Sequence, residues 1–194
     1  MNKTQNINKI ILASASPRRR QLMQEAGYNF EIIVSSAEEI QISNPIELVR
    51  INAENKAKDV ARKNPNRLVL GSDTIVAFAE KVLGKPKDLT EAFDMLKMLQ
   101  GNSHSVYTGV SFAMFDGQKF STKTDVQESK VIFKKLSDAN IKNYLQKVNV
   151  LDKAGAYAAQ ECGELIIEKI DGDFDNVMGL PMRLVKNLLD TLQK

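Results

Sequence analysis

The chain has 194 residues, 43% hydrophobic and 26% charged, with a formal net charge of +3. This balance suits one large domain or two tightly joined lobes with a proper core, and it argues against a protein whose main work is coating nucleic acid. A single cysteine, Cys162, and a single histidine, His104, exclude an intramolecular disulfide and a histidine-rich metal site. Any hydrolysis therefore falls to carboxylates, lysines or a hard metal. Residues 1–8 are polar and read as a disordered tail, with no apolar core of signal length. Nowhere do about 18 apolar residues run together, so no membrane span is expected.

Residues 9–13 read as a buried strand. They run into Ser14-Ala15-Ser16-Pro17-Arg18-Arg19-Arg20 and then an amphipathic helix at 18–26, with Gly27 just past its end. Strand, tight loop and helix start make an anion site: hydroxyls from Ser14 and Ser16, unpaired helix N–H groups, and forked donors from Arg18 and Arg19. A capped helix with a solvated basic turn is the plain alternative, but arginines there oppose the helix dipole. A second strand at 30–34 completes an α/β opening. The following loop carries Glu38-Glu39, a pair that is ordinarily solvated and that otherwise helps to place a divalent cation.

Asn44-Pro45-Ile46-Glu47 starts a helix that should run to about residue 62, with Val49, Ala53, Ala57 and Val60 on one face. Lys56 within it reads as a surface lysine. Two apolar strands, 67–71 and 75–78, flank Gly71-Ser72-Asp73-Thr74. Aspartate is poor in strands and costly to bury, so Asp73 reads as a strand-end carboxylate that holds Mg²⁺ or Mn²⁺ or orients a water. Glu80-Lys81 is the expected hairpin tip. Gly84-Lys85-Pro86 lacks the spacing of a P-loop. Thr90 is expected to cap a helix ended by Gly101.

Residues 104–115 alternate, Asp116-Gly117 signals a hairpin, and 120–133 return as a long strand. Ser137 caps a helix to about residue 148, with Ile141, Leu145 and Val148 inward. Asp152-Lys153-Ala154-Gly155-Ala156-Tyr157-Ala158-Ala159-Gln160 then sets small residues around one aromatic and one amide, suited to a planar ligand. Residues 164–170 read as a strand, Asp171-Gly172 as a turn, and Pro181 opens a last helix.

Several of these stretches, spread from Leu12 to Pro181, resemble motifs of the Maf family of nucleoside triphosphate pyrophosphatases. They are Ser14-Ala15-Ser16-Pro17-Arg18-Arg19, Gly71-Ser72-Asp73-Thr74, the Lys85-Pro86 pair, the Asp152 to Gln160 stretch and Asn176-Val177-Met178-Gly179-Leu180-Pro181. The resemblance implies an α/β fold, a single domain over 9–194, and a central mixed sheet flanked by helices in two lobes with an interlobe cleft. It implies hydrolysis of a triphosphate between its α and β phosphates. Asp73 would be the base, Glu39 and Asp73 would hold Mg²⁺ or Mn²⁺, and Ser14, Arg18, Arg19, Lys56 and Lys85 would bind phosphates. Asp152-Lys153-Ala154-Gly155-Ala156-Tyr157 with Gln160 resembles the subgroup acting on dTTP and UTP, where the glutamine reads the pyrimidine; Thr74 and one of the arginines would help to set base choice. Ala158, Ala159, Glu161 and Cys162 depart from that subgroup's glycine and isoleucine pattern. A homodimer in the cytoplasm, bound to neither membrane nor nucleic acid, is expected. The rival readings are a pyrophosphatase for another base such as 7-methyl-GTP, and a nucleic-acid-binding or division-regulating protein without catalysis.

Overall fold

The computed structural model describes residues 9–192, so the tail expected at 1–8 lies outside it. β1 (Ile10–Leu12) leads through α1 (Pro17–Glu25) to β2 (Phe30–Ile32), which pairs parallel with β1 in the register Ile10 to Phe30. α2 (Pro45–Lys63) makes the next crossover to β3 (Val69–Phe78), which is parallel to β1 on its other side. Parallel neighbours need such crossovers, and a strand enclosed by them is apolar throughout. All three residues of β1 are accordingly buried.

α2 begins as its sequence predicts. The Asn44 side chain accepts from the N–H groups of Ile46 and Glu47, and Pro45 opens the helix. Two glycines set how closely it approaches its neighbours. A Cβ on Gly71 would stand 2.3 Å from the Ala53 carbonyl oxygen, and one on Gly109 2.2 Å from that of Val49. Bare backbone at both places lets α2 lie nearer than any side chain would allow.

The expectation of two strands around Asp73 is corrected. β3 is one strand of ten residues, and Asp73 lies inside it rather than at a strand end. β4 (Lys81–Leu83) folds back antiparallel on β3. The tip is Ala79-Glu80, at φ 46° and 64°, one residue before the expected pair. Left-handed backbone at both central positions matches the twist of a tight hairpin.

α3 (Leu89–Leu99) is capped by Asp88, not Thr90: the Asp88 carboxylate accepts from the N–H groups of Thr90 and Glu91. β5 (Ser103–Phe115) and β6 (Phe120–Phe133) are joined by residues 116–119. There the Asp116 carboxylate accepts from Gln118 and Lys119. α4 (Asp138–Lys147) carries a reciprocal cap between Ser137 and Asn140. Its inward set is Ile141, Tyr144 and Val148, with Leu145 only half-buried. β7 (Ile167–Asp171) starts later than expected because Gly163–Leu165 forms a 3₁₀ turn, and it pairs antiparallel with β6. α5 (Phe174–Met178), short and unforeseen, precedes α6 (Met182–Leu192).

The strands form one mixed seven-stranded sheet in the order β2-β1-β3-β5-β6-β7, with β4 on β3, which bears out the α/β expectation. The chain divides into two compact units. The first is Met1–Asp73, Thr108–Gln127 and Gly179–Lys194; the second is Thr74–Tyr107 and Glu128–Met178. Ile11, Ala13, Ala57, Val60 and Val69 pack in the core of the first. Leu96, Leu99, Val106, Phe133, Ile141 and Ile166 pack in that of the second. No helix among the described residues is long and apolar enough to cross a membrane.

Candidate active site

The loop after β1 folds back on itself. The Ser14 hydroxyl accepts from the Ser16 N–H at 3.2 Å, and the Ser16 hydroxyl caps α1 by accepting from the Arg19 N–H. Pro17 occupies the first helical position, where no N–H is required. Arg19 reaches backward across the helix start. Its Nη1 donates to the Ser14 hydroxyl at 3.2 Å and the Ser72 carbonyl at 2.9 Å, and its Nε donates to the Gly179 carbonyl at 2.8 Å. Ser72 also donates to the Gly179 carbonyl, at 3.1 Å. Arg19 is thus a strut joining three chain segments as well as a charge. Burial pulls its guanidinium below the ordinary arginine value, opposed by the charge of Asp73. Arg18 lies half-buried beside it in the first turn.

Asp73 is buried, and its charge is compensated from α2. Gly71 and Asp73 are two apart in β3 and share one face of the strand. That is the face α2 approaches over Gly71. From the helix, Lys56 Nζ donates to Asp73 Oδ1 at 2.6 Å and Asn52 Nδ2 to Asp73 Oδ2 at 3.3 Å. Lys56 Nζ also donates to Glu39 Oε1 at 2.6 Å. One ammonium therefore lies between two carboxylates. Removing it would leave a buried carboxylate uncompensated, a loss of about 3–5 kcal/mol.

The loop bearing Glu39 is fixed at both ends. Asn52 Oδ1 accepts from the Ile40 N–H at 2.9 Å. The Asp59 carboxylate accepts from the Ser35 hydroxyl at 2.9 Å and the Ser36 N–H at 2.7 Å, and it pairs with Lys63. Burial alone would raise the Asp59 carboxyl, but these donors outweigh it and bring it down to about 2. Asn52 was not a candidate from sequence. It stands one helical turn before Lys56, so the two share a face, and its amide is buried there.

Thr74, Lys85 and Gln160 belong to the second unit. Thr74 follows Asp73 and points to the opposite face of β3. Lys85 is exposed just beyond β4. The carbonyl of its neighbour Gly84 accepts from the Gly155 N–H at 3.0 Å, which ties the lysine's loop to the segment ending in Gln160. Gln160 is half-buried. Its side-chain oxygen is fully buried and meets no hydrogen-bond donor among the described residues. The structure thus gathers Ser14, Arg19, Glu39, Lys56 and Asp73 in the first unit and links the segments of Lys85 and Gln160 in the second.

Glu39 and Asp73 converge on one cationic atom through carboxylate oxygens, the ligand type Mg²⁺ and Mn²⁺ prefer. Among the described residues, no group of three or more histidine, cysteine, aspartate or glutamate side chains could hold a metal. A cation here fits two carboxylates and would draw its remaining oxygens from water and substrate phosphates, as Mg²⁺ commonly does.

Comparison with known proteins gives three findings. A family model described as "Maf-like protein" matches residues 9–192. A protein of Thermoanaerobacter sp. (strain X514) named dTTP/UTP pyrophosphatase is 48% identical over 188 residues, 96% of each chain. One of that name from Bacillus cereus (strain ATCC 10987 / NRS 248) is 43% identical over 187 residues, 95% of this chain and 90% of its own.

Proposed function

The chain belongs to the Maf family, and from that premise we propose that it hydrolyses dTTP and UTP between the α and β phosphates, giving the monophosphate and pyrophosphate. The observation that carries this reading is the Glu39–Lys56–Asp73 arrangement beside Arg19. It joins a buried carboxylate for moving a proton to cations for a strongly anionic substrate.

Asp73 accepts the proton of a water that attacks the α phosphorus. As the new P–O bond forms, the bond from the α phosphorus to the bridging oxygen breaks, and pyrophosphate leaves with that electron pair. Asn52 and Lys56 fix the two Asp73 oxygens, so the base meets the water without reorganising. Ser14, Arg18, Arg19, Lys56 and Lys85 bind the phosphates, while Gln160 and Thr74 set base choice. A divalent cation held by Glu39 and Asp73 would supply charge neutralisation on the phosphate oxygens. The Gln160 amide both donates and accepts, which suits the edge of uracil or thymine. We take the enzyme to act as a cytoplasmic homodimer in clearing surplus or modified nucleotides.

The test is pyrophosphate release with Mg²⁺ or Mn²⁺ from dTTP, UTP, CTP, GTP, ATP and 7-methyl-GTP. Release from dTTP and UTP above the others is the expected result. Release from 7-methyl-GTP above them would overturn the base assignment, and no release from any nucleotide would overturn the enzyme reading.

A further inference from the structure

An amide tells one pyrimidine edge from another only when it is held. A free glutamine turns its amide over and offers the reverse donor and acceptor pattern, the one that suits cytosine. The segment from Lys153 to Gln160 has little regular structure to hold it: one 3₁₀ turn over Ala154–Ala156, with Gly155 at φ 68° and Ala156 at φ 61°. Lys153 anchors its start by donating to the Asn149 carbonyl and pairing with Asp152, the Gly155 N–H donates to the Gly84 carbonyl, and nearer Gln160 side chains of other elements take over. The Tyr144 hydroxyl, presented by α4, accepts from the Ala158 N–H at 3.0 Å and donates to the Ala158 carbonyl at 3.3 Å. A single hydroxyl thus satisfies both backbone groups of a residue two positions before Gln160. Tyr144 is fully buried, and burial pushes its hydroxyl up to about 12, so it remains an O–H donor.

The neighbouring anchors agree with this. His104 Nε2 bonds the Tyr157 hydroxyl at 2.8 Å, and His104 and Tyr157 each stand edge-on to Phe133. A Cβ on Gly155 would lie 2.8 Å from a Val76 methyl, so the turn is seated directly on β3. All of these groups belong to the second unit. What they immobilise is the stem of a side chain whose oxygen is buried with no donor among the described residues.

We infer that Tyr144 is a positioning residue for base selection: by clamping both backbone groups of Ala158 it fixes the stem of Gln160, and so the face the amide shows to the pyrimidine. It touches no reacting atom and acts through Ala158. The inference rests on the reading of Gln160 as the base reader.

The experiment compares wild type, Tyr144→Phe, Ala158→Gly and a core control, Leu99→Val, each checked for folding and assayed well below its unfolding temperature. The readout is kcat/KM for dTTP relative to CTP. Tyr144→Phe keeps the ring and deletes the clamp. It should lower the ratio at least fivefold, mainly through a higher KM for dTTP, with kcat within about twofold. Ala158→Gly, which loosens the same backbone without touching the hydroxyl, should lower the ratio in the same direction. Leu99→Val should leave it unchanged. An unchanged ratio in Tyr144→Phe, or an equal fall in Leu99→Val, overturns the inference while the proposed function stands. A wild-type protein with no preference for dTTP overturns the reading of Gln160 and the inference with it.

Discussion

The two units hold their functional groups by different means. In the first, Asp73, Lys56 and Glu39 are held by one another: a buried carboxylate is stable there because an ammonium lies 2.6 Å away. In the second, the segment of Gln160 begins at the buried Lys153, whose ammonium pairs with Asp152 and Glu161, and from there it is held by burial, by the hydroxyl of Tyr144 and by the pairing of His104 with Tyr157. The charged arrangement fixes the carboxylate proposed as the base, and losing one partner leaves the other uncompensated. The aromatic arrangement fixes a backbone, and losing one contact loosens it by degrees. Mutations in the first should therefore strike turnover, and mutations in the second should strike selectivity and stability.

The largest effect expected is that of Asp73→Asn. An amide cannot take the water's proton, so turnover should fall roughly 10²–10⁴-fold. Lys56 and Asn52 still pack against the side chain, so the fold and nucleotide binding should survive. Pyrophosphate release together with calorimetric nucleotide titration measures both. Wild-type turnover in this variant would remove Asp73 from its role.

A second break falls on the aromatic arrangement. Burial lowers the His104 imidazole to about 4. Above its ordinary value near 6.5 the ring is neutral in both folded and unfolded chains, so its contribution is complete there. As pH falls through the window to about 4, only the unfolded chain takes up the proton. Stability should then drop by about 3 kcal/mol. Urea unfolding at pH 7 and pH 4, in wild type and His104→Gln, isolates this slope, which the variant should lack.

Gly71→Ala tests how α2 is carried. The new Cβ would meet the Ala53 carbonyl at 2.3 Å, and the overpacking should cost about 1–3 kcal/mol of stability. It should also lower activity, because Lys56 and Asn52 move with the helix. A matched Ile75→Val change elsewhere in β3 should cost stability but not activity.

The smallest effect expected is that of Asn52→Leu, which leaves Asp73 its lysine and removes the amide. The change also frees the Ile40 N–H; the lost bond to the Asp73 carboxylate accounts for a fall of about tenfold in kcat with KM little changed, and the loosened loop of Glu39 adds to it. An equal fall in kcat and rise in KM would mean that Asn52 serves binding rather than the base.

How much of this was legible in the sequence follows the same division. Asp73 could be singled out because an aspartate amid apolar strand residues conflicts with local propensity. The Ser14 to Arg19 loop could be singled out because its arginines oppose a helix dipole. Such conflicts are visible in one dimension. Asn52 and Tyr144 conflict with nothing around them: each sits at helical spacing, where an amide or an aromatic is unexceptional. Their importance arises only when α2 meets β3 and α4 meets the segment after Lys153. The continuity of β3 through Asp73 was illegible for a related reason, since what makes a charge tolerable there is Lys56, 17 residues away in sequence. The cap of α3 was misplaced by two residues because Thr90 and Asp88 are both good caps, and only backbone direction chose Asp88.

The measurement closest to the central claim is hydrolysis of dTTP in ¹⁸O-labelled water, with both products examined by mass spectrometry. Attack of a water activated by Asp73 on the α phosphorus predicts the label in the monophosphate and none in the pyrophosphate. Label in the pyrophosphate, or inorganic phosphate released in its place, would contradict the account.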